Sequence, residues 1–187
     1  QVLGRLELNR QPVALAGWLH DQQTLWREQA RQKGVAWQTD IPLSLPTVQI
    51  DVDQMGRALG NLLSNAVKYN TDGGRIHIGT RHAGHDSVEL AVTDTGLGMT
   101  EAQLAELFQA FNRLGREASV QEGTGIGLVI SLRLAELMGG TLHVRSSLGM
   151  GSTFTLELPR AAVAAAPHPG GEGDDLVEPA AYGRRVI

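Results

Sequence analysis

The chain contains no cysteine, so neither disulfides nor thiolate metal sites hold it together. It is poor in aromatics, at 4% of residues, and no stretch approaches the roughly 18 consecutive apolar residues that a membrane span requires. Basic charge is in deficit too. Sixteen Lys and Arg stand against 20 Asp and Glu, for a net charge of -4, the reverse of the footprint that nucleic acid selects. The first ten residues are too polar for a signal peptide. These absences predict a soluble, cytoplasmic chain without nucleic-acid partners or membrane contact of its own, whatever anchors a longer parent protein.

What is present suffices for one core: 187 residues, 42% of them hydrophobic, predict one globular unit. Residues 12–34 carry Val13, Leu15, Trp18, Leu19, Leu25 and Trp26 at helical spacing. Residues 35–39 alternate as a strand, Pro42 and Pro46 interrupt, and residues 48–50 resume an extended piece, giving a strand pair ahead of a helix. That helix, over 53–69, repeats Met55, Leu59, Leu62, Leu63, Ala66 and Val67 every three or four positions, with Asp53 as its expected N-cap.

Two alternating runs, 75–81 and 87–93, predict an antiparallel pair. Residues 95–125 are punctuated by glycine around a short helix at 101–111, the pattern of a ligand-dependent lid. A helix over 127–138, stopped by Gly139 and Gly140, and strands at 141–145 and 152–158 complete the domain. From 161 to 182 the chain is rich in Ala, Pro, Gly and acid without periodicity, which reads as a linker. The fold class is α/β, a two-layer sandwich with one mixed, mostly antiparallel sheet and helices on one face. Its expected parts are an entry segment at 1–12, a domain at 13–159 and a linker at 160–187.

Asn61, Asn65 and Lys68 are spaced by four and three, so they share one stripe of the helix beside its apolar face. Asparagine is a poor interior helix former, so two in one stripe suggest a ligand or ordered water. A carboxamide oxygen can hold Mg²⁺, and an ammonium can meet phosphate. The plainer reading is a solvated helix face. Asp94-Thr95-Gly96-Leu97-Gly98-Met99 puts a carboxylate at the end of an apolar strand. It can accept from the exocyclic amine of adenine, whereas guanine would present a carbonyl oxygen to the same carboxylate. An ordinary Asp-Gly turn is the alternative there. Gly123-Thr124-Gly125-Ile126-Gly127-Leu128 runs directly into a helix, where free N–H groups and the dipole favour an anion. The spacing matches neither the dinucleotide fingerprint nor the Walker loop.

The runs Asn61-Leu-Leu-Ser-Asn65-Ala-Val-Lys68-Tyr69, Asp94-Thr-Gly96-Leu-Gly98, Phe108-Gln-Ala-Phe111 and Gly123-Thr-Gly125-Ile-Gly127-Leu resemble, in order, the N, G1, F and G2 boxes of sensor histidine kinases. Met138-Gly139-Gly140 and Gly149-Met-Gly151-Ser152-Thr153-Phe154 resemble that family's closing segment, so the resemblance covers residues 3–159. It implies the Bergerat ATP-binding sandwich, with ATP and Mg²⁺ as cofactors. By position it implies Asn65 on the metal with Asn61 beside it, Lys68 and Tyr69 near the phosphates, and Asp94 on adenine. Met99 and Thr153 would join the nucleotide site. Gly96, Gly98, Gly123, Thr124, Gly125, Ile126, Gly127 and Leu128 would form the lid and phosphate loop. Phe108 and Phe111 would pack the lid, although two aromatics three apart can equally be core. Arg113 is a candidate for the γ-phosphate, where an exposed arginine is the default.

Related hydrolases, the Hsp90-like chaperones and gyrase-type enzymes, carry Glu where this chain has Asn61, and Asn is no general base. The resemblance therefore implies transfer to an outside nucleophile, a histidine on dimerisation helices absent from the chain. His20 only faintly resembles an acceptor motif, and the acceptor is expected before Gln1. His77, His82 and His85 show no metal spacing and are expected to face solvent. Residues 183–187 look like the start of a receiver domain, which implies a response regulator, separate or fused, as partner. A serine kinase of the anti-sigma type and a nucleotide-gated interaction module are the competing readings.

Overall fold

The computed structural model describes residues 7–113 and 126–162. Seven strands and four helices follow one another within these residues: β1 (Gln11–Ala14), α1 (Leu15–Gln32), β2 (Ala36–Asp40), β3 (Thr47–Ile50), α2 (Val52–Lys68), β4 (Arg75–Ala83), β5 (Ser87–Asp94), α3 (Glu101–Arg113), α4 (Ile126–Leu137), β6 (Thr141–Ser147) and β7 (Gly151–Pro159). The main sheet has five strands in the order β2-β4-β5-β7-β6. β2 pairs parallel to β4 and every other pair is antiparallel. A parallel pair needs a crossover, and here α2 lies within it. The expected mixed, mostly antiparallel sheet with helices on one face is what the chain forms.

Strand parity decides which side the helices cover. On β5, Val88, Leu90, Val92 and Asp94 are buried, and on β7 so are Phe154, Leu156 and Leu158. Against them lie Leu59, Leu62, Leu63 and Ala66 of α2, Leu15 and Leu19 of α1, and Leu128, Leu132 and Ala135 of α4. The opposite face is polar and carries an Arg81–Glu89 ion pair and His143 with its Nε2 3.9 Å from the Glu157 carboxylate. His77, His82 and His85 are exposed, as expected.

Three expectations need correction. The helix read from residue 12 begins at Leu15, because Pro12 and Val13 belong to β1, which pairs antiparallel with β3 in a separate two-stranded sheet. β2 and β3 are therefore not a pair: the Pro42–Pro46 stretch sends the chain from the main sheet to this smaller one. The cap of α2 is Asp51, not Asp53. Its Oδ1 accepts from the N–H groups of Asp53 and Gln54, both at 3.1 Å, whereas Asp53 sits inside the first turn, where its charge favours the helix dipole. Thr100 and Gln103 form a reciprocal capping box for α3 at 2.9 and 3.1 Å.

Candidate nucleotide-binding site

The end of α2 is fixed from outside. Lys33 Nζ donates to the carbonyls of Val67 and Lys68, each at 2.8 Å, satisfying acceptors that a helix C-terminus leaves open. The stripe upstream is thereby held in place. Asn61 and Asn65 are half-buried and Lys68 is exposed, with its ammonium 5.2 Å from the centre of the Tyr69 ring. Asn61 Nδ2 donates to the carbonyl of Gly127 at 3.1 Å. The Ser131 hydroxyl lies 2.9 Å from that carbonyl and 2.9 Å from the carbonyl of Ala58. These bonds set the first turn of α4 against α2. Among the described residues, the Asn65 amide has no hydrogen-bond partner.

Asp94 ends β5 with 8% of its surface exposed. Its carboxylate accepts from the Gly96 N–H at 2.9 Å, and the main-chain N–H of Ser152, the residue opposite it in the β5–β7 ladder, favours the same charge. Burial pushes its pKa up, and these two donors pull in the other direction. The loop that follows returns to α2, since the Leu97 N–H donates to the Tyr69 carbonyl at 3.2 Å. The stripe of α2 and the carboxylate of β5 therefore meet at one end of the sheet.

Two glycines close this end. Gly98 has φ +66°, and a Cβ on it would lie 2.0 Å from the Ser147 carbonyl oxygen. Gly151 has φ +104°, and its Cβ would lie 2.0 Å from the Asp94 carbonyl oxygen. No side chain fits at either position, so the Asp94 loop and the β6–β7 turn are packed backbone against backbone. Gly149 N–H donates to the Leu97 carbonyl at 2.8 Å, and Met99 N–H to Ser146 Oγ at 2.8 Å.

The other expected residues divide. Leu128 is a core residue at 7% exposure, so its side chain is committed to packing. Phe108 is exposed and meets the half-buried Phe111 edge to face at 6.2 Å between ring centres. Thr153 lies one residue along β7 from the partner of Asp94. Parity sends it to the polar face of the sheet, where its hydroxyl lies 3.1 Å from that of Thr93. Gly123, Thr124 and Gly125, the side chains of Arg113 and Ile126, and residues 163–187 lie outside the described residues.

Ser152 and Ser146 are the residues that sequence reasoning missed. Their hydroxyls are 2.7 Å apart beside the Asp94 loop. The signal was available: Ser152 shares its parity with Phe154, Leu156 and Leu158, all core positions.

Residues 50–162 match the family model described as histidine kinase-, DNA gyrase B- and HSP90-like ATPase. The adaptive-response sensory kinase SasA of Synechococcus elongatus is 38% identical over 154 residues, covering 82% of this chain and 40% of that protein. The aerobic respiration control sensor protein ArcB of Escherichia coli K12 is 36% identical over 182 residues, covering 94% of this chain and 23% of that protein. The chain thus spans well under half the length of these curated relatives. The crystal structure of full-length ShkA in complex with AMPPNP superposes with a TM-score of 0.68 at 34% identity, over 86% of this chain and 33% of that one. The catalytic domain of histidine kinase ThkA, at 22% identity and a TM-score of 0.67, covers 82% of this chain and 97% of that one and speaks to the fold alone. The chain belongs to the histidine kinase-, DNA gyrase B- and HSP90-like ATPases, and within them to the ATP-binding catalytic domains of sensor histidine kinases.

Proposed function

We propose that this chain binds Mg-ATP and passes the γ-phosphate to a histidine on a dimerisation and phosphoacceptor domain that lies outside it, as the catalytic domain of a two-component sensor. The observation that carries this reading is Asn61. Its amide donates to the Gly127 carbonyl, and a carboxamide cannot take a proton from water. A site with ATP in place and a carboxamide at this position suits an outside nucleophile.

In this reading Asp94 accepts from the adenine amine, while Lys68 and the main-chain N–H groups at the start of α4 face the phosphates. By the family resemblance, residues 123–128 would supply the phosphate loop and Arg113 would serve the γ-phosphate. Mg²⁺, when bound, neutralises charge on the phosphates. Asn65 would hold it, since its carboxamide is the one in the stripe without a hydrogen bond among the described residues. An imidazole nitrogen attacks phosphorus in line, the P–N bond forms as the bond to the ADP oxygen breaks, and the imidazole releases its proton to solvent. Catalysis is then positioning and charge complementarity.

The parent protein would add the acceptor helices before residue 1 and a response regulator or fused receiver domain as the next acceptor. Residues 13–159 would be the catalytic domain.

The test supplies the parent's dimerisation helices in trans with γ-labelled ATP. Acid-labile label on the helices is the expected result. Absence of label at every concentration overturns the kinase reading, and acid-stable label redirects it to serine.

A further inference from the structure

We propose that Ser146 is a positioning residue for nucleotide recognition: its hydroxyl pins the loop carrying Asp94 to the β6–β7 hairpin and thereby sets how selectively the site reads adenine. The proposal rests on the ATP reading above.

The loop from Asp94 to Met99 is tied on two sides. Toward α2, the Leu97 N–H donates to the Tyr69 carbonyl at 3.2 Å. Toward the hairpin, the Gly149 N–H donates to the Leu97 carbonyl at 2.8 Å, and the Met99 N–H donates to Ser146 Oγ at 2.8 Å. The bonds at Leu97 run from backbone to backbone and are indifferent to side-chain identity. Ser146 is the side chain that joins loop to hairpin.

Its hydroxyl is fully employed. Oγ lies 3.1 Å from the Gly151 carbonyl and 2.7 Å from Ser152 Oγ. One proton and two lone pairs allow it to donate to the Gly151 carbonyl while accepting from the Met99 N–H and the Ser152 hydroxyl. Ser152 in turn pairs with Asp94 across the β5–β7 ladder. A continuous path therefore leads from Met99, at the far end of the loop, through Ser146 and Ser152 back to Asp94 at its start.

Selectivity depends on that path being rigid. A carboxylate rejects a guanine carbonyl only while the loop cannot move to relieve the contact, and a site held loosely loses discrimination before it loses binding. The geometry thus gives Ser146 an effect on the ratio of nucleotide affinities, beyond any effect on stability.

The experiment titrates the full chain and its Ser146→Ala, Ser146→Thr and Ser146→Cys variants with fluorescent ATP and GTP analogues. Ser146→Ala is expected to lower the ATP-to-GTP affinity ratio about tenfold, the scale of one hydrogen bond, with Ser146→Thr restoring it. Ser146→Cys, nearly isosteric and a weak donor, should fall between and serves if the Ala variant does not fold. A purely structural serine would lower the melting temperature or both affinities together and leave the ratio unchanged, which overturns the proposal. Wild-type chain that prefers ATP while both the Ala and Cys variants keep its ratio sinks the Ser146 assignment alone. Wild-type chain that binds neither nucleotide removes the ATP reading, and this proposal with it.

Discussion

Asn61 of α2 and Gly127 of α4 are joined by a 3.1 Å hydrogen bond in which the amide donates and the main-chain carbonyl accepts. With the Ser131 hydroxyl on the Ala58 carbonyl, this NH₂ group ties the first turn of α4 to α2. Asn61→Asp keeps the size and removes the donor, leaving a carboxylate against a carbonyl oxygen. The expected cost is about 1–3 kcal/mol of stability, the penalty for an acceptor stripped of its partner, together with weaker ATP binding. Urea denaturation measures the first and nucleotide titration the second. An aspartate variant as stable as wild type would mean that the bond contributes nothing.

Asn65 invites the opposite outcome. Its amide has no hydrogen bond among the described residues, so Asn65→Ala should leave the folded chain about as stable as before. It should abolish the gain in ATP affinity that Mg²⁺ provides. Titrations with Mg²⁺ and with a chelator separate the two terms, and an undiminished Mg²⁺ effect in the variant would remove Asn65 from the metal site.

Gly98 and Gly84 share a φ of +66°, yet a Cβ on Gly84 would meet nothing within 4 Å, whereas one on Gly98 would meet the Ser147 carbonyl oxygen at 2.0 Å. Alanine at Gly84 should cost only the left-handed backbone penalty, about 1–2 kcal/mol. Alanine at Gly98 should cost more and should also impair ATP binding, because the Asp94 loop must lift off the hairpin. Thermal unfolding of both variants isolates the packing contribution. Equal losses would contradict the close approach.

Much of this was legible in the sequence because it is written in periodicity. The α2 repeat and the alternation of β5 place Asn61, Asn65, Lys68 and Asp94 without help from tertiary contacts. What escaped depends on pairing across the chain. The short β1 exists because Val13 and Pro12 find Val48 and Gln49, and a four-residue strand abutting a helix carries no period of its own. The cap passed from Asp53 to Asp51 because helix ends are set by backbone geometry that composition does not reveal. At Thr153 strand parity matters: counting back by twos from Leu158 reaches Ser152, while Thr153 turns its side chain to the other face of the sheet.

Asp94 gives the sharpest pH signature. Burial raises its pKa above its ordinary value, so the folded chain holds this proton more tightly than the unfolded chain. The sign follows from linkage: stability from this group is fully present in acid and is lost as pH climbs from the unfolded pKa through the folded one. At neutral pH the buried charge is therefore a cost, only partly offset by the N–H groups of Gly96 and Ser152. Asp94→Asn should raise the melting temperature of the nucleotide-free chain at neutral pH, with the difference vanishing toward acid. Nucleotide binding should behave conversely. The adenine amine needs the charged acceptor, so wild-type ATP affinity should rise with pH across the same window, while the variant shows a flat profile and loses about 1–3 kcal/mol of preference for ATP over GTP. Melting curves and titrations across that pH range provide both readouts. A variant less stable than wild type at neutral pH, with its preference for ATP intact, would show that the carboxylate serves the fold rather than the nucleotide.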